Sequence, residues 1–173
     1  FVNRIDATEG LNLNLLQPMK TKTRSESIFN VVHSNLTAFS SGNCMGPVQM
    51  ANLRNVIKEA MKLQNDTGCD DAEALISVFE RYSDDAKMQA VYQKLWSLLH
   101  SGVLKRGSGK KFEPGKINIF DLGGIEPGMA AAVAEIILAY LWRAVVNVRI
   151  TERQEIICSL DEFQHLSLTK QSV

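Results

Sequence analysis

The sequence has no net charge, so its overall composition does not favour nucleic acid or an anionic membrane surface as a partner. Its 173 residues include 19 Lys and Arg residues against 19 Asp and Glu residues. A neutral chain has no overall attraction to nucleic acid or to an anionic membrane surface, although local charged patches can still form. The length and a hydrophobic content of 45% suit one domain with a proper core, or a core plus a subdomain.

Cysteine is also scarce. Only Cys44, Cys69 and Cys158 are present, their spacing does not match a metal-ligand pattern, and their odd number leaves one of them unpaired. Reduced thiols in a cytoplasmic protein are the simplest interpretation of such a set.

The sequence has no long apolar run that is free of polar residues. Its longest apolar stretch, residues 129–148, contains Glu135, Arg143 and Asn147. We therefore expect a buried helix there and no membrane span. No signal peptide is visible at the start. Because Phe1 is not a start methionine, we expect the chain to be an excised piece of a longer protein.

Four amphipathic helices are predicted between residues 25 and 101, after a connecting loop or short strand. Each begins with Ser, Pro or Asp, residue types that favour the amino end of a helix, and continues with apolar residues at helical spacing. Trp96 and, in a later helix, Trp142 lie on apolar faces and are predicted to be largely buried. The predicted inward-facing residues of the four helices are Ile28, Val31, Val32, Leu36 and Phe39; Met50, Leu53, Val56, Ile57, Ala60, Met61 and Leu63; Ala74, Leu75, Val78, Phe79 and Tyr82; and Met88, Val91, Tyr92, Leu95, Trp96, Leu98 and Leu99.

A basic, glycine-rich loop is predicted over residues 102–116. It carries Lys105, Arg106, Lys110 and Lys111. Such a loop can contact phosphate, including that of DNA, or a neighbouring subunit. A solvent-exposed loop without a partner is the alternative, and the lack of interleaved aromatic residues makes the nucleic-acid signal weak.

This loop does not match the phosphate-binding pattern GxxxxGK[ST]. The letters Gly-Ser-Gly-Lys at 107–110 resemble part of it. However, Leu104 stands where the first glycine is needed, and Lys111 stands where Ser or Thr would hold magnesium. We therefore interpret these residues as a flexible basic loop.

The last third of the chain predicts a strand, a helix and a strand. The strands are expected at 117–122 and 155–160, with a helix at about 127–147 between them. Strands joined by such a crossover are almost always parallel. Asp121 would then end its strand near the point where Asp161 ends the other, although a structural turn is its simpler role.

The final strand delivers two adjacent carboxylates at its end, Asp161 and Glu162. The carboxyl edge of a parallel sheet is where nucleotide phosphates bind in open α/β folds. In that setting Asp161 would hold Mg²⁺, directly or through water, and Glu162 would orient or deprotonate the attacking water. A core strand ending in an ordinary acidic turn is the alternative.

The order of these parts resembles the motor ATPases of conjugative transfer and type IV secretion, relatives of the hexameric DNA-pumping translocases. In that family a short Asn-Pro- or Asn-Leu-like segment follows the P-loop, then an all-helical insertion, an aspartate-bearing strand and the acidic strand. The matching parts here are residues 10–18, residues 25–101, Asp121, Asp161 with Glu162, and Gln164-His165-Leu166. The order covers nearly the whole chain, but only the last dozen residues form a specific motif.

The resemblance implies a mostly α protein with an α/β part, in which a helical insertion bundle precedes a βαβ portion of a RecA-like P-loop NTPase core. The implied divisions are a connecting segment 1–24, an all-helical subdomain 25–101, the basic loop 102–116 and a partial βαβ unit 117–173. ATP and Mg²⁺ are the implied cofactors of the intact protein. The implied site residues are Glu162 as the catalytic residue, Asp161 at the metal, and Asp121 and Gln164 as accessory residues.

The resemblance further implies a hexamer in the cytoplasm that partner proteins of the secretion or conjugation machinery can bring to the inner face of the membrane. The sequence lacks GxxxxGK[ST], and also lacks the sensor strand and arginine finger of that family. We therefore expect this chain alone to bind nucleotide weakly and not to hydrolyse it.

Two other functional classes remain open at the level of the sequence. A stand-alone helical interaction module would use the acidic strand only structurally and would not respond to nucleotide. A nucleic-acid-binding module that uses Lys105, Arg106, Lys110 and Lys111 would show an affinity that falls steeply with salt.

Overall fold

Helices dominate the part of the chain that the structure describes. A computed structural model of the protein describes residues 2–20, 25–41, 43–105, 110–113, 115–147, 157 and 159. Its elements are β1 (Val2–Asp6), a 3-10 helix (Ala7–Glu9), α1 (Ile28–Ser40), α2 (Pro47–Thr67), α3 (Asp71–Arg81), α4 (Ala86–His100), β2 (Ile117–Asp121) and α5 (Pro127–Asn147). The mostly helical class, the four helices within 25–101 and the later helix are confirmed.

Local sequence signals explain where these helices begin and end. The Ser27 hydroxyl caps α1 by accepting a bond from the backbone N–H of Asn30 at 3.2 Å. Pro47 opens α2, and Gly68 ends it with a φ of 74°, a left-handed conformation that glycine adopts without steric cost. The Asp85 carboxylate caps α4.

The two strands form a parallel pair that the sequence did not predict. β1 pairs with β2 in a register that joins Val2 to Ile117 and Asp6 to Asp121. The sequence predicted a loop or short strand for the first residues of the chain. It gave no sign of their pairing with β2, because the two strands lie far apart along the chain. All four helices α1–α4 come between them. Of the predicted strand 155–160, the structure describes only residues 157 and 159, so this prediction is not tested.

Residues 10–20, which follow the 3-10 helix and belong to no helix or strand, run through the core, and we call them the extended segment. Leu11, Leu13, Leu15 and Leu16 are each buried. They join one continuous apolar cluster with the buried faces of the helices and with Ile5 of β1. Because this segment is not part of a sheet, its buried backbone groups need hydrogen-bond partners from side chains or from other loops.

α5 packs against α1 and buries Val133, Ile136, Ile137 and Leu141. The Ser34 hydroxyl on α1 donates to the Ala139 carbonyl on α5 at 3.4 Å. Among the described residues, no helix is both long enough and apolar enough to cross a membrane.

The burial predicted for three side chains is wrong. Trp96 and Trp142 are 49% and 68% exposed, and Ile28 is 62% exposed. The buried stripe of α4 passes through Leu95, so its neighbour Trp96 points about 100° away around the helix axis. Trp142 follows the buried Leu141 in the same way, and Ile28 is the first residue of α1, ahead of its packed turn.

Candidate functional site

The carboxyl ends of β1 and β2 bring two acidic residues to one edge of the sheet. Asp6 and Asp121 are direct register partners and are the last residues of their strands. Ligands of parallel α/β sheets bind at this edge, beyond the carboxyl ends of the strands. We call the edge formed by Asp6, Asp121 and the turns that follow them the strand-end site.

Asp121 is held by donors on both sides. Its carboxylate accepts bonds from the Arg4 guanidinium on the neighbouring strand and from the Gly123 backbone N–H at 3.0 Å. The Arg4 contact, followed by the Gly123 N–H, holds the pKa of Asp121 below its ordinary value. The carboxyl is therefore ionised at neutral pH. The turn role predicted for this residue agrees with the Gly123 bond, and Arg4 adds a partner that the sequence did not indicate.

Asp6 is engaged in its own turn. One carboxylate oxygen accepts from the Thr8 hydroxyl at 2.6 Å and from the Thr8 backbone N–H at 2.9 Å. These two bonds, the hydroxyl first, hold the pKa of Asp6 below its ordinary value. The Asp-x-Thr spacing is a local sequence signal that could have predicted this turn. It could not have predicted that Asp121 would lie beside it.

The turns after the two strands touch at Gly124. A Cβ atom built on Gly124 would lie 2.6 Å from the Cγ2 atom of Thr8. A side chain at this position would force Thr8 to shift, so the constraint at Gly124 is one of space rather than of backbone angles. The turn after β2 therefore lies close against the turn after β1 at the strand-end site.

Gly124→Ala is expected to lower the free energy of unfolding by about 1–3 kcal/mol, because overpacking displaces neighbouring groups. Urea unfolding measures this loss. Gly46→Ala is the matched control, since no atom lies within 4 Å of a Cβ there and its φ is an ordinary −73°. In the Gly124→Ala background, Thr8→Ser removes Cγ2 but keeps the hydroxyl, so it should restore most of the loss. Equal losses at Gly124 and Gly46 would contradict the contact.

Glu126 caps the helix that follows the site. Its carboxylate accepts from the backbone N–H groups of Gly128 and Met129, each at 3.0 Å. These bonds, the one to Gly128 first, hold the pKa of Glu126 below its ordinary value. A negative charge also suits the amino end of α5.

The strand-end site therefore holds ionised carboxylates that are already engaged with local donors. In the described part of the chain, no three His, Cys, Asp or Glu residues gather closely enough to hold a metal ion. The pKa values of Asp6, Asp121 and Glu126 are all lowered, which is the opposite of the shift that suits a carboxylate general base. What they provide is a fixed sheet edge with defined charge.

The residues on which the predicted chemistry depends lie elsewhere. Asp161, Glu162 and Gln164 are outside the described residues, as is Arg106. The other members of the basic loop, Lys105, Lys110 and Lys111, are described and exposed. The structure thus places Asp121 at the carboxyl end of its strand beside Asp6, while the predicted proximity of Asp121 to the acidic pair stays a prediction.

Sequence reasoning missed a buried group of polar side chains around the extended segment. We call Glu26, Asn35, Gln64, Asp71 and Arg143 the core polar cluster; each is at most 5% exposed. In the sequence, Arg143 appeared only as a charge within an apolar helix, and Asp71 only as an acid at a helix start. No local pattern indicates that both reach the same distant segment.

Arg143 joins α5 to the extended segment. Its guanidinium donates to both carboxylate oxygens of Glu26, at 3.0 and 2.9 Å, and to the carbonyls of Leu15 and Gln17, at 2.6 and 2.9 Å. The Glu26 carboxylate also accepts from the Met19 backbone N–H at 3.0 Å. A planar guanidinium suits this fork-like arrangement better than an ammonium would.

Asp71 binds the same segment from the helical side. Its carboxylate accepts from the backbone N–H groups of Leu15 and Leu16, at 2.9 and 3.3 Å, and from the Gln64 amide at 2.6 Å. Asn35 donates to the Leu15 carbonyl at 2.8 Å. The core polar cluster thus satisfies buried backbone groups, which is a structural role rather than a ligand-binding one.

Comparisons of the chain with protein-family models, with curated proteins and with solved structures produced no match. What the strand-end site does therefore has to be inferred from its own residues.

Proposed function

We propose that this chain is part of an ATP-hydrolysing motor that powers conjugative DNA transfer or type IV secretion. The supporting observation is the parallel pairing of β1 with β2 across an intervening unit of four helices. An α/β core that carries an all-helical insertion has this arrangement. The pairing also sets Asp6 and Asp121 side by side at the carboxyl edge, where nucleotide sites of such sheets lie.

The chemistry in this proposal belongs to residues beyond the described part. Asp161 would be the ligand of Mg²⁺, which neutralises phosphate charge when ATP is bound. Glu162 would take a proton from the attacking water. Asp121 would serve as a neighbouring fixed charge, since Arg4 and Gly123 already hold its carboxylate. The chain has no P-loop pattern of its own, so the proposal places that part in a longer protein.

Phosphate release from ATP tests the proposal directly. A longer protein that extends the chain before Phe1 is expected to hydrolyse ATP in a Mg²⁺-dependent manner, and the chain alone is not. Without P-loop contacts, millimolar ATP and Mg²⁺ should barely shift the thermal midpoint of the chain alone, because a ligand stabilises only the state that binds it.

Two outcomes would contradict these expectations. A clear rise in the thermal midpoint of the chain alone with ATP and Mg²⁺ would show that the chain contains a phosphate site. Gly107 and its neighbours would then be the first candidates for that site. A longer protein without any hydrolysis would favour the helical interaction module instead.

A further inference from the structure

The four helices α1–α4, which we call the helical unit, share a continuous core with the rest of the chain. α1 packs against α5. One apolar cluster runs from Ile5 on β1 through the buried faces of the four helices to Leu141 on α5. Two parts of a chain are expected to move relative to each other unless their interface is large and apolar. Here such motion would have to break a continuous core.

The extended segment lies where these parts meet, and its residue Leu15 is bound from both of them. The Leu15 N–H donates to the carboxylate of Asp71, the first residue of α3, at 2.9 Å. The Leu15 carbonyl accepts from Asn35 on α1 at 2.8 Å and from Arg143 on α5 at 2.6 Å. One residue of the segment thus joins the helical unit to α5 through both of its backbone groups.

The same segment begins directly after the strand-end site. The 3-10 helix that follows Asp6 ends at Glu9, and Gly10 opens the segment. The next residue, Leu11, is buried, and its N–H donates to the carbonyl of Val103, just after α4, at 2.9 Å. Only a few residues therefore separate the strand-end site from the first contact between the segment and the end of the helical unit.

Two hydrogen bonds of the same kind show how burial strengthens these contacts. The Leu15 N–H donates to Asp71, and the Thr8 N–H donates to Asp6, each at 2.9 Å. Asp71 is fully buried, whereas Asp6 is exposed. Water can replace a donor to Asp6, but a displacement of the segment would leave the Asp71 carboxylate without these donors and without water in their place. The segment is therefore held in position more firmly than the turn after β1.

We propose that the extended segment is a rigid coupling, which makes the helical unit, α5 and the strand-end site one cooperative body. A partner that displaced the helical unit would then displace the strand-end site with it, because the segment is bound to both. The division into a helical subdomain and a βαβ part, which the resemblance implies, would instead let each part open by itself. The coupling requires no ATP, so it holds or fails independently of the proposed motor function.

Hydrogen exchange of the chain itself, followed by NMR at several urea concentrations below the unfolding transition, tests the coupling. The slowest amides of α2 and of α5 are expected to show the same protection within about threefold, because the parts of one cooperative unit open together. The Leu15 N–H should share this protection, although Leu15 lies in no helix or strand. The Thr8 N–H, which makes the same kind of bond in an exposed turn, should exchange at least about 100-fold faster.

The two tryptophans allow a second, independent measurement, since one lies on each part. Trp96 is on α4 and Trp142 is on α5, and both are exposed, so either can be replaced with little loss of stability. Trp142→Phe leaves Trp96 to report on the helical unit, and Trp96→Phe leaves Trp142 to report on α5. Urea unfolding followed by fluorescence should give coincident transitions for the two variants, as for any single cooperative unit.

Asp71→Asn tests whether a change on one side of the segment reaches the other side. The amide keeps the size of the carboxylate but loses its charge, and hydrogen bonds to a charged group are the stronger ones. The slowest amides of α2 and α5 should both exchange at least about tenfold faster, and by the same factor. Asp6→Asn is the matched control, which should speed the exchange of the Thr8 N–H and leave α2 and α5 unchanged.

Three results would overturn the proposal. Amides of α5 that exchange faster than those of α2, with a weaker dependence on urea, would show that α5 opens by itself. Fluorescence transitions at different urea concentrations for Trp96 and Trp142 would show the same. An effect of Asp71→Asn confined to the helical unit would mean that the segment does not join the two parts. If Asp71→Asn does not fold, the exchange pattern of the parent chain and the two fluorescence transitions decide the question.

Discussion

Replacing Arg143 with methionine is expected to lower the free energy of unfolding by about 3–5 kcal/mol. The side chains of Arg143 and Glu26 are only 3% and 0% exposed. Removal of the guanidinium would leave the Glu26 carboxylate buried without its cation. Breaking one side of a buried pair is costly because the remaining charge has neither water nor its partner around it.

The backbone contacts make this pair harder to replace than most. Buried ion pairs can often be exchanged for apolar residues of similar volume with little loss. Here Arg143 also satisfies the Gln17 carbonyl, and Glu26 also satisfies the Met19 N–H. Glu26→Leu combined with Arg143→Met would leave both groups without these partners. We therefore expect the double variant to remain clearly less stable than the parent.

Urea unfolding of the single and double variants measures both effects. Arg4→Met is the matched control, since it removes an Arg–Asp pair whose side chains are 70% and 30% exposed. Exposed pairs contribute little, so its unfolding midpoint should barely change. An Arg143→Met midpoint as close to the parent as that of Arg4→Met would mean that the core polar cluster does not hold α5 to the extended segment.

The helix boundaries could be predicted because their causes are local. Ser27, Pro47, Gly68 and Asp85 each act on backbone groups within a few residues, so a short window of sequence contains the whole signal. The apolar stripes within α2 and α3 likewise follow from spacing along a single element.

The orientation of the two tryptophans could not be predicted, because it depends on which neighbours are present. α5 is apolar on nearly all sides, so its sequence does not indicate which face packs on α1. In α4 the buried stripe is clear, but Trp96 borders it. Successive side chains of a helix point about 100° apart, so the residue next to a buried one can be exposed.

Long-range pairing set a second limit on prediction. β1 joins β2 only after four helices have intervened, and nothing near Val2 indicates that Ile117 is its partner. Arg143 and Asp71 similarly bind backbone groups of a segment remote in sequence. At the strand-end site, the position of Asp121 at the end of its strand followed from the sequence, whereas its pairing with Arg4 did not. The acidic pair stays a prediction.

Glu162→Gln in the longer protein is expected to reduce ATP hydrolysis by about 10²–10⁴-fold while leaving ATP binding nearly unchanged. The amide is almost the size of the carboxylate, but it cannot accept a proton from water. Steady-state phosphate release measures the first effect, and equilibrium binding of a fluorescent ATP analogue measures the second.

Two further variants give this prediction its specificity. Asp161→Asn should instead weaken the Mg²⁺-dependent part of ATP binding, because a neutral oxygen holds a hard cation less well than a carboxylate does. Glu126→Gln makes the same chemical change at a carboxylate that caps α5, where it should affect stability but not turnover. If Glu162→Gln and Asp161→Asn both hydrolyse ATP at the parent rate, the acidic pair is only a structural turn, and the proposed motor function loses its catalytic residues.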